Sequence, residues 1–163
     1  MLIERFRTWY DHERDCNVKI LQMLDSVPID RRDDPAWQRA LELMSHLLSA
    51  RRNWLDRVRS GRNQGDWVIK GVTLTDLHAL RSAVESEWTA FLDDLDDEEL
   101  TRDFTWKWQD GNAYGWPLEE MLAQVHGHAW YHRGQIVLLV DSLGGETVDT
   151  DFIFWTPNVR RVE

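Results

Sequence analysis

Apolar residues fall along this chain in four long stretches with helical spacing, separated by segments where that spacing stops. From Leu2 to Val27 the positions Leu2, Phe6, Trp9, Cys16, Ile20, Met23 and Val27 follow steps of three and four, broken only where Glu13 stands. At about 100° per residue, Glu13 lies at the centre of the arc formed by Phe6, Trp9, Ile20 and Leu24, so the pattern predicts an amphipathic helix with a carboxylate on its buried face. Asp34-Pro35 reads as an N-cap followed by proline at the first helical position. The helix it opens runs to about Arg59, is closed by Gly61, and turns Ala40, Met44, Leu47, Trp54, Leu55 and Val58 inward. Thr73 or Thr75 caps a third helix carrying Leu77, Leu80, Val84, Trp88, Phe91 and Leu95. Pro117 opens a fourth, with Leu118, Met121, Val125, Ala129, Ile136, Leu139 and Leu143 inside, and Gly144-Gly145 stops it.

The segments between carry their own signals. Residues from Gly61 to Val72 are polar and glycine-punctuated, a loop of the length that often carries function. The acids Asp96 to Glu99 read most simply as a solvated turn, with a fresh short helical start as the alternative. Phe104 to Trp108 alternates apolar and polar, Asp110-Gly111 signals a hairpin turn, and Asn112 to Trp116 supplies the returning strand. The tail segment Asp151 to Trp155 is too apolar for solvent and is expected to pack across the bundle or on a neighbouring subunit. The expected fold is an all-α four-helix bundle with a small β-hairpin before the last helix. The helix connections differ in length, so simple up-down neighbours do not follow.

Composition narrows the functional classes. At 163 residues the chain fits one domain, and 42% hydrophobic content with ten tryptophans supplies a core without disulfides. A net charge of -10 argues against nucleic acid, whose phosphates are bound by lysine and arginine replacing counterions. The short basic clusters, Arg51-Arg52 with Arg57, Arg59 and Arg62, and Arg160-Arg161, read as solvated helix faces or termini. No stretch is apolar for long enough to span a membrane, and Met1 to Arg7 lacks a signal-peptide apolar region, so a cytoplasmic protein is expected. Cys16, the single cysteine, falls on an apolar face and reads as core.

The candidate chemistry is concentrated on the fourth helix. His128 and His132 stand one turn apart on its apolar stripe, with Cβ atoms roughly 5–6 Å apart, close enough for both rings to reach one metal ion. Spacing alone leaves open a pair of hydrogen-bonded core histidines. A ligating imidazole needs an acceptor for its second nitrogen, for which Gln124, Gln135 and Glu13 lie on suitable faces. Glu13 should itself be a ligand, a proton acceptor or the partner of a buried cation such as Arg133. His46 lies at the margin of its helix's apolar arc, where a surface histidine fits as well as a ligand does. His12, His78 and His126 read as surface or capping residues.

The segment from Leu118 to Gln135, with His128, three residues, then His132-Arg-Gly-Gln135, closely resembles the C-terminal helix of the DinB family of four-helix-bundle proteins. Leu43-Met-Ser-His46 with Trp54 eight residues later resembles that family's second-helix motif, and Thr150-Asp-Phe-Ile-Phe154 is similar to its common ending. The resemblance implies a metal triad of His46, His128 and His132, with zinc or nickel as the usual ion. It also implies long crossing connections, a homodimer, and kinship with thiol-dependent S-transferases and a thiol-dependent isomerase. Many members place a further histidine four residues before the first of the C-terminal pair; here Gln124 stands there.

Three protein nitrogens leave open positions on a divalent ion, the arrangement of a catalytic rather than a structural site. The leading expectation is an enzyme that holds a low-molecular-weight thiol as thiolate on the metal and transfers it to an electrophilic small molecule. In that reading Glu13 accepts the proton, and the loop from Gly61 to Val72 with Trp106, Trp108, Tyr114 and Trp116 lines an apolar entrance. Metal-assisted hydrolysis is the alternative within enzymes. A non-catalytic metal-binding dimer, with Glu13 completing the ion's shell, and a metal-free structural bundle are alternatives outside them.

Overall fold

The computed structural model describes residues 1–62, 65–108 and 110–160, so part of the Gly61 to Val72 loop and the end of the tail from Arg161 lie outside the described residues. The periodic stretches become four long helices: α1 (Leu2–Ser26), α2 (Pro35–Ser60), α3 (Leu74–Asp93) and, after three short elements, α5 (Leu118–Ser142). The predicted caps hold. The Asp34 side chain accepts from the Ala36 amide ahead of Pro35, and Gly61 closes α2 in the left-handed region at φ 74°. Thr73, not Thr75, caps α3 through a reciprocal capping box with Asp76.

The acids expected as a solvated turn instead organise two helix starts. Asp96 caps a one-turn helix, α4 (Asp97–Leu100), by accepting from the Glu98 and Glu99 amides. Asp97 accepts from the Leu2 and Ile3 amides, supplying the cap that Met1 does not give α1. A run of carboxylates thus satisfies orphan donors at both sites, which local composition does not reveal.

Strands β1 (Asp103–Lys107) and β2 (Ala113–Pro117) form the expected antiparallel hairpin, with Phe104 opposite Trp116 and Trp106 opposite Tyr114. Gly111 takes φ 83° in the connecting turn. In β1 only Phe104 and Trp106 are buried, against α2.

Of the consecutive long helices only α2 and α3 are neighbours. The principal contacts run α1 to α5, α5 to α2, α2 to α3 and α3 to α1, so α1 and α2 face each other diagonally across the core, as do α3 and α5. The link through Pro28 and a single 3₁₀ turn at Ile29–Arg31 therefore crosses one end of the bundle. Trp88, Met44, Ile20, Leu55 and Met121 lie wholly buried between the four helices.

After α5 the chain turns back along α1. The Glu146 amide donates to Ser26 Oγ at 2.7 Å, and the Thr150 carbonyl oxygen lies 3.0 Å from His12 Nε2. A last turn, α6 (Phe152–Trp155), sets Phe152 and Trp155 on the His12 ring at centroid distances of 5.2 and 5.3 Å. The tail thus packs on its own bundle. Cys16 is fully buried beside it, as expected of a core residue. Among the described residues no helix is long and apolar enough to cross a membrane.

Candidate metal centre

The contact between α2 and α5 brings together the three histidines that the sequence singled out. His46, His128 and His132 each offer a ring nitrogen, and these atoms lie within 4.8 Å of one another. The ring centroids are 4.5 to 5.0 Å apart, and all three side chains are half-buried at the edge of the interface. One ring thus comes from α2 and two, a turn apart, from α5.

Hydrogen bonds fix which nitrogens face inward. His46 Nδ1 donates to the Trp67 carbonyl oxygen at 2.7 Å, so Nε2 is left as an acceptor. His132 Nδ1 donates to Gln135 Oε1, also at 2.7 Å, and its Nε2 is likewise left free. His46 Nε2 and His128 Nε2 stand only 3.0 Å apart. Tetrahedral bonds of about 2.1 Å would place two ligand nitrogens roughly 3.4 Å apart, so a cation fits between these rings with little movement.

Electrostatics favours the neutral, ligating form. Burial first, then the adjacent His132 and His46 rings, push His128 down to about 4. Burial also lowers His46, partly offset by the Trp67 carbonyl. A divalent ion needs uncharged imidazole, and these residues supply it at neutral pH. The donor set is three nitrogens with no carboxylate among them, which suits zinc or nickel better than magnesium or calcium.

Glu13 is not part of this cluster. Its carboxylate is 3% exposed and takes a two-pronged ion pair from Arg51, whose Nε and Nη2 each bond one oxygen. The pair spans the diagonal between α1 and α2. Burial alone would raise the Glu13 carboxyl, but Arg51 and His126 outweigh it and hold it at about 2. Of the three roles expected, Glu13 fills that of partner to a buried cation, and the cation is Arg51 rather than Arg133. Arg51, expected on a solvated face, is 5% exposed, with its guanidinium over the Tyr10 and Trp88 rings.

Two further histidines were misplaced by the sequence reading. His126 is buried, stacked on Trp9 at 5.2 Å, with Nδ1 3.4 Å from Glu13 Oε2. His12 is 1% exposed under the tail. His12 stands next to the buried Glu13 on α1, a signal that apolar periodicity ignores. His78 is exposed, as expected.

Of the expected orienting residues, Gln135 bonds a ligand, whereas Gln124 is exposed and Arg133 is buried toward the tail. The Trp67 carbonyl was not foreseen, because a backbone acceptor has no residue-type signature. Trp67 is anchored by its ring, which lies 4.7 Å from the Arg57 guanidinium; Trp54 and Trp108 pack on the same group at 4.4 and 4.6 Å. Arg57 is therefore another buried cation where a solvated face was expected. The hairpin tryptophans Trp106 and Trp108 gather on it, securing the loop that orients His46.

A family model described as DinB family matches residues 3–159. No curated protein and no solved structure matches the chain.

Proposed function

The chain belongs to the DinB family, and from that premise we propose that it is a divalent-metal-dependent enzyme transferring a low-molecular-weight thiol to an electrophilic small molecule. The observation that carries this reading is the convergence of three imidazoles, two with Nδ1 already tied down, at a half-buried edge without a carboxylate. Such a ligand set leaves room for an exogenous ligand. A bound divalent ion, zinc or nickel, would lower the pKa of a thiol or water at that open position.

The chain's own contribution is orientation and charge. Trp67 and Gln135 hold two rings with Nε2 inward, and burial keeps His128 unprotonated at neutral pH. Glu13, already ionised and doubly bonded to Arg51, is a weak base; it supports the site by compensating Arg51 behind His128. Tyr131, two-thirds exposed and 4.9 Å from the His132 ring, offers an aromatic surface at the mouth for the substrate. Exposed Tyr131 and Leu138, seven residues apart on one face of α5, support a homodimer, and the cytoplasm is the expected compartment.

The test is incubation of metal-loaded protein with a panel of cellular thiols and a chromogenic electrophile. Thiol-dependent turnover absent from His132→Ala is expected. No turnover above that variant with any thiol would reject the transferase reading, and product formed equally without thiol would identify hydrolysis instead.

A further inference from the structure

Beside the tail, α5 borders an open cavity of about 640 Å³, flanked on its other side by residues 150–159. Its volume is in the range of small-molecule sites. Trp130, Phe152 and Ile153 give it apolar walls, Thr150 and Thr156 border it, and Arg133 supplies its cation. None of the three clustered histidines lines it.

Arg133 is the anomaly. It is 3% exposed, yet among the described residues no carboxylate pairs with it and nothing hydrogen-bonds its side chain; Nη1 is fully buried without a partner. Arg7 and Arg32, whose tasks are structural, look different. Arg7 grips the Leu92 carbonyl with Nε and Nη2, and Arg32 donates to the Val27 carbonyl. A buried guanidinium without a counter-charge is costly, so the position calls for an anion.

The neighbouring groups do not supply one. Glu13 is committed to Arg51. His12 lies close by; burial and then the Arg133 charge keep it neutral, and its Nδ1 is also buried without a partner. Asp151 lines the cavity but is exposed and makes no ion pair with Arg133. One cation with an acid nearby suits a single negative charge better than a dianion, and the walls suit an apolar body.

We propose that this cavity binds a small monocarboxylate with an aromatic or apolar body, its carboxylate on Arg133 and its body between Trp130 and Phe152. A planar carboxylate matches the guanidinium fork, and charge-assisted bonds to a buried guanidinium are strong. This site is separate from the histidine cluster and does not depend on the function proposed there.

Titration calorimetry with phenylacetate, phenylacetamide and inorganic phosphate tests it on metal-free and metal-loaded protein. Phenylacetate should bind with a dissociation constant on the order of 1 mM. Phenylacetamide, of the same shape without the charge, should bind about tenfold more weakly or worse, as should phenylacetate to Arg133→Met. Binding should be equal with and without metal and unchanged in His46→Ala. Equal binding of acid and amide, tighter binding of phosphate than of phenylacetate, or loss of binding on metal removal would each overturn the proposal. Should Arg133→Met fail to fold, the acid-to-amide ratio in the wild-type protein decides.

Discussion

His46 Nε2 and His128 Nε2 lie 3.0 Å apart, and the Trp67 carbonyl oxygen holds the only proton of a neutral His46 on the far nitrogen. An acceptor is thereby set against its neighbour's nitrogen, an arrangement a shared cation satisfies with both rings. Elemental analysis of purified protein should find about one equivalent of zinc or nickel, with His46→Ala, His128→Ala and His132→Ala each losing most of it. Gln135→Ala, which leaves the ligands but frees the His132 ring, should weaken metal affinity by about 10–100-fold. Full metal retention by any of the histidine variants would sink the triad.

The diagonal pair of Glu13 and Arg51 carries a separate stability prediction. Glu13→Gln removes the counter-charge of a 5% exposed guanidinium and should destabilise the fold by about 3–5 kcal/mol in urea denaturation. Replacing both partners, Glu13→Leu with Arg51→Met, should recover much of that loss. A double variant less stable than Glu13→Gln would contradict this account.

Two acid transitions follow from the same groups. His128 sits at about 4 in the fold against an ordinary 6.5, so between these values the unfolded chain binds more protons and metal-free stability falls as pH drops. Glu13 sits at about 2 against 4.5, so its contribution, complete above 4.5, is lost as pH falls toward 2. Urea midpoints measured across pH should show both declines, with His128→Gln flattening the upper window and Glu13→Gln the lower. A midpoint constant between pH 6.5 and 4 in metal-free protein would refute the first.

The turn after α5 is tightly packed. A Cβ placed on Gly145 would stand 2.7 Å from Val140 Cγ1 and 2.9 Å from Val27 Cγ2, both branched and buried. Gly145→Ala should cost about 1–3 kcal/mol by overpacking, whereas Gly127→Ala, with open space around it, should be far milder. Thermal melts of the two variants make the comparison.

Much of this architecture was legible because apolar spacing and caps are local. Leu2 to Val27, Asp34-Pro35, Thr73 and Asp110-Gly111 each encode their element in a few residues. The histidine cluster was half legible: His128 and His132 declared themselves on one helix, while His46 needed the family pattern because its partners lie 82 residues away or more. The buried arginines were missed for the opposite reason, since a cluster rich in charge reads as solvated. Arg51 is four residues from both Leu47 and Leu55, so it occupies the apolar stripe of α2 as Glu13 occupies that of α1. A cation and an acid each intruding on a buried face would have announced the pair.

The bond from His46 to the Trp67 carbonyl makes the loop after α2 and the metal centre report on each other. Whatever releases Trp67 from the Arg57 cluster frees the His46 ring to turn, and whatever holds His46 Nε2 on an ion favours the docked loop. Such linkage is reciprocal by thermodynamic necessity. Susceptibility of this segment to a protease then becomes a gauge of ion occupancy, readable without any knowledge of substrate.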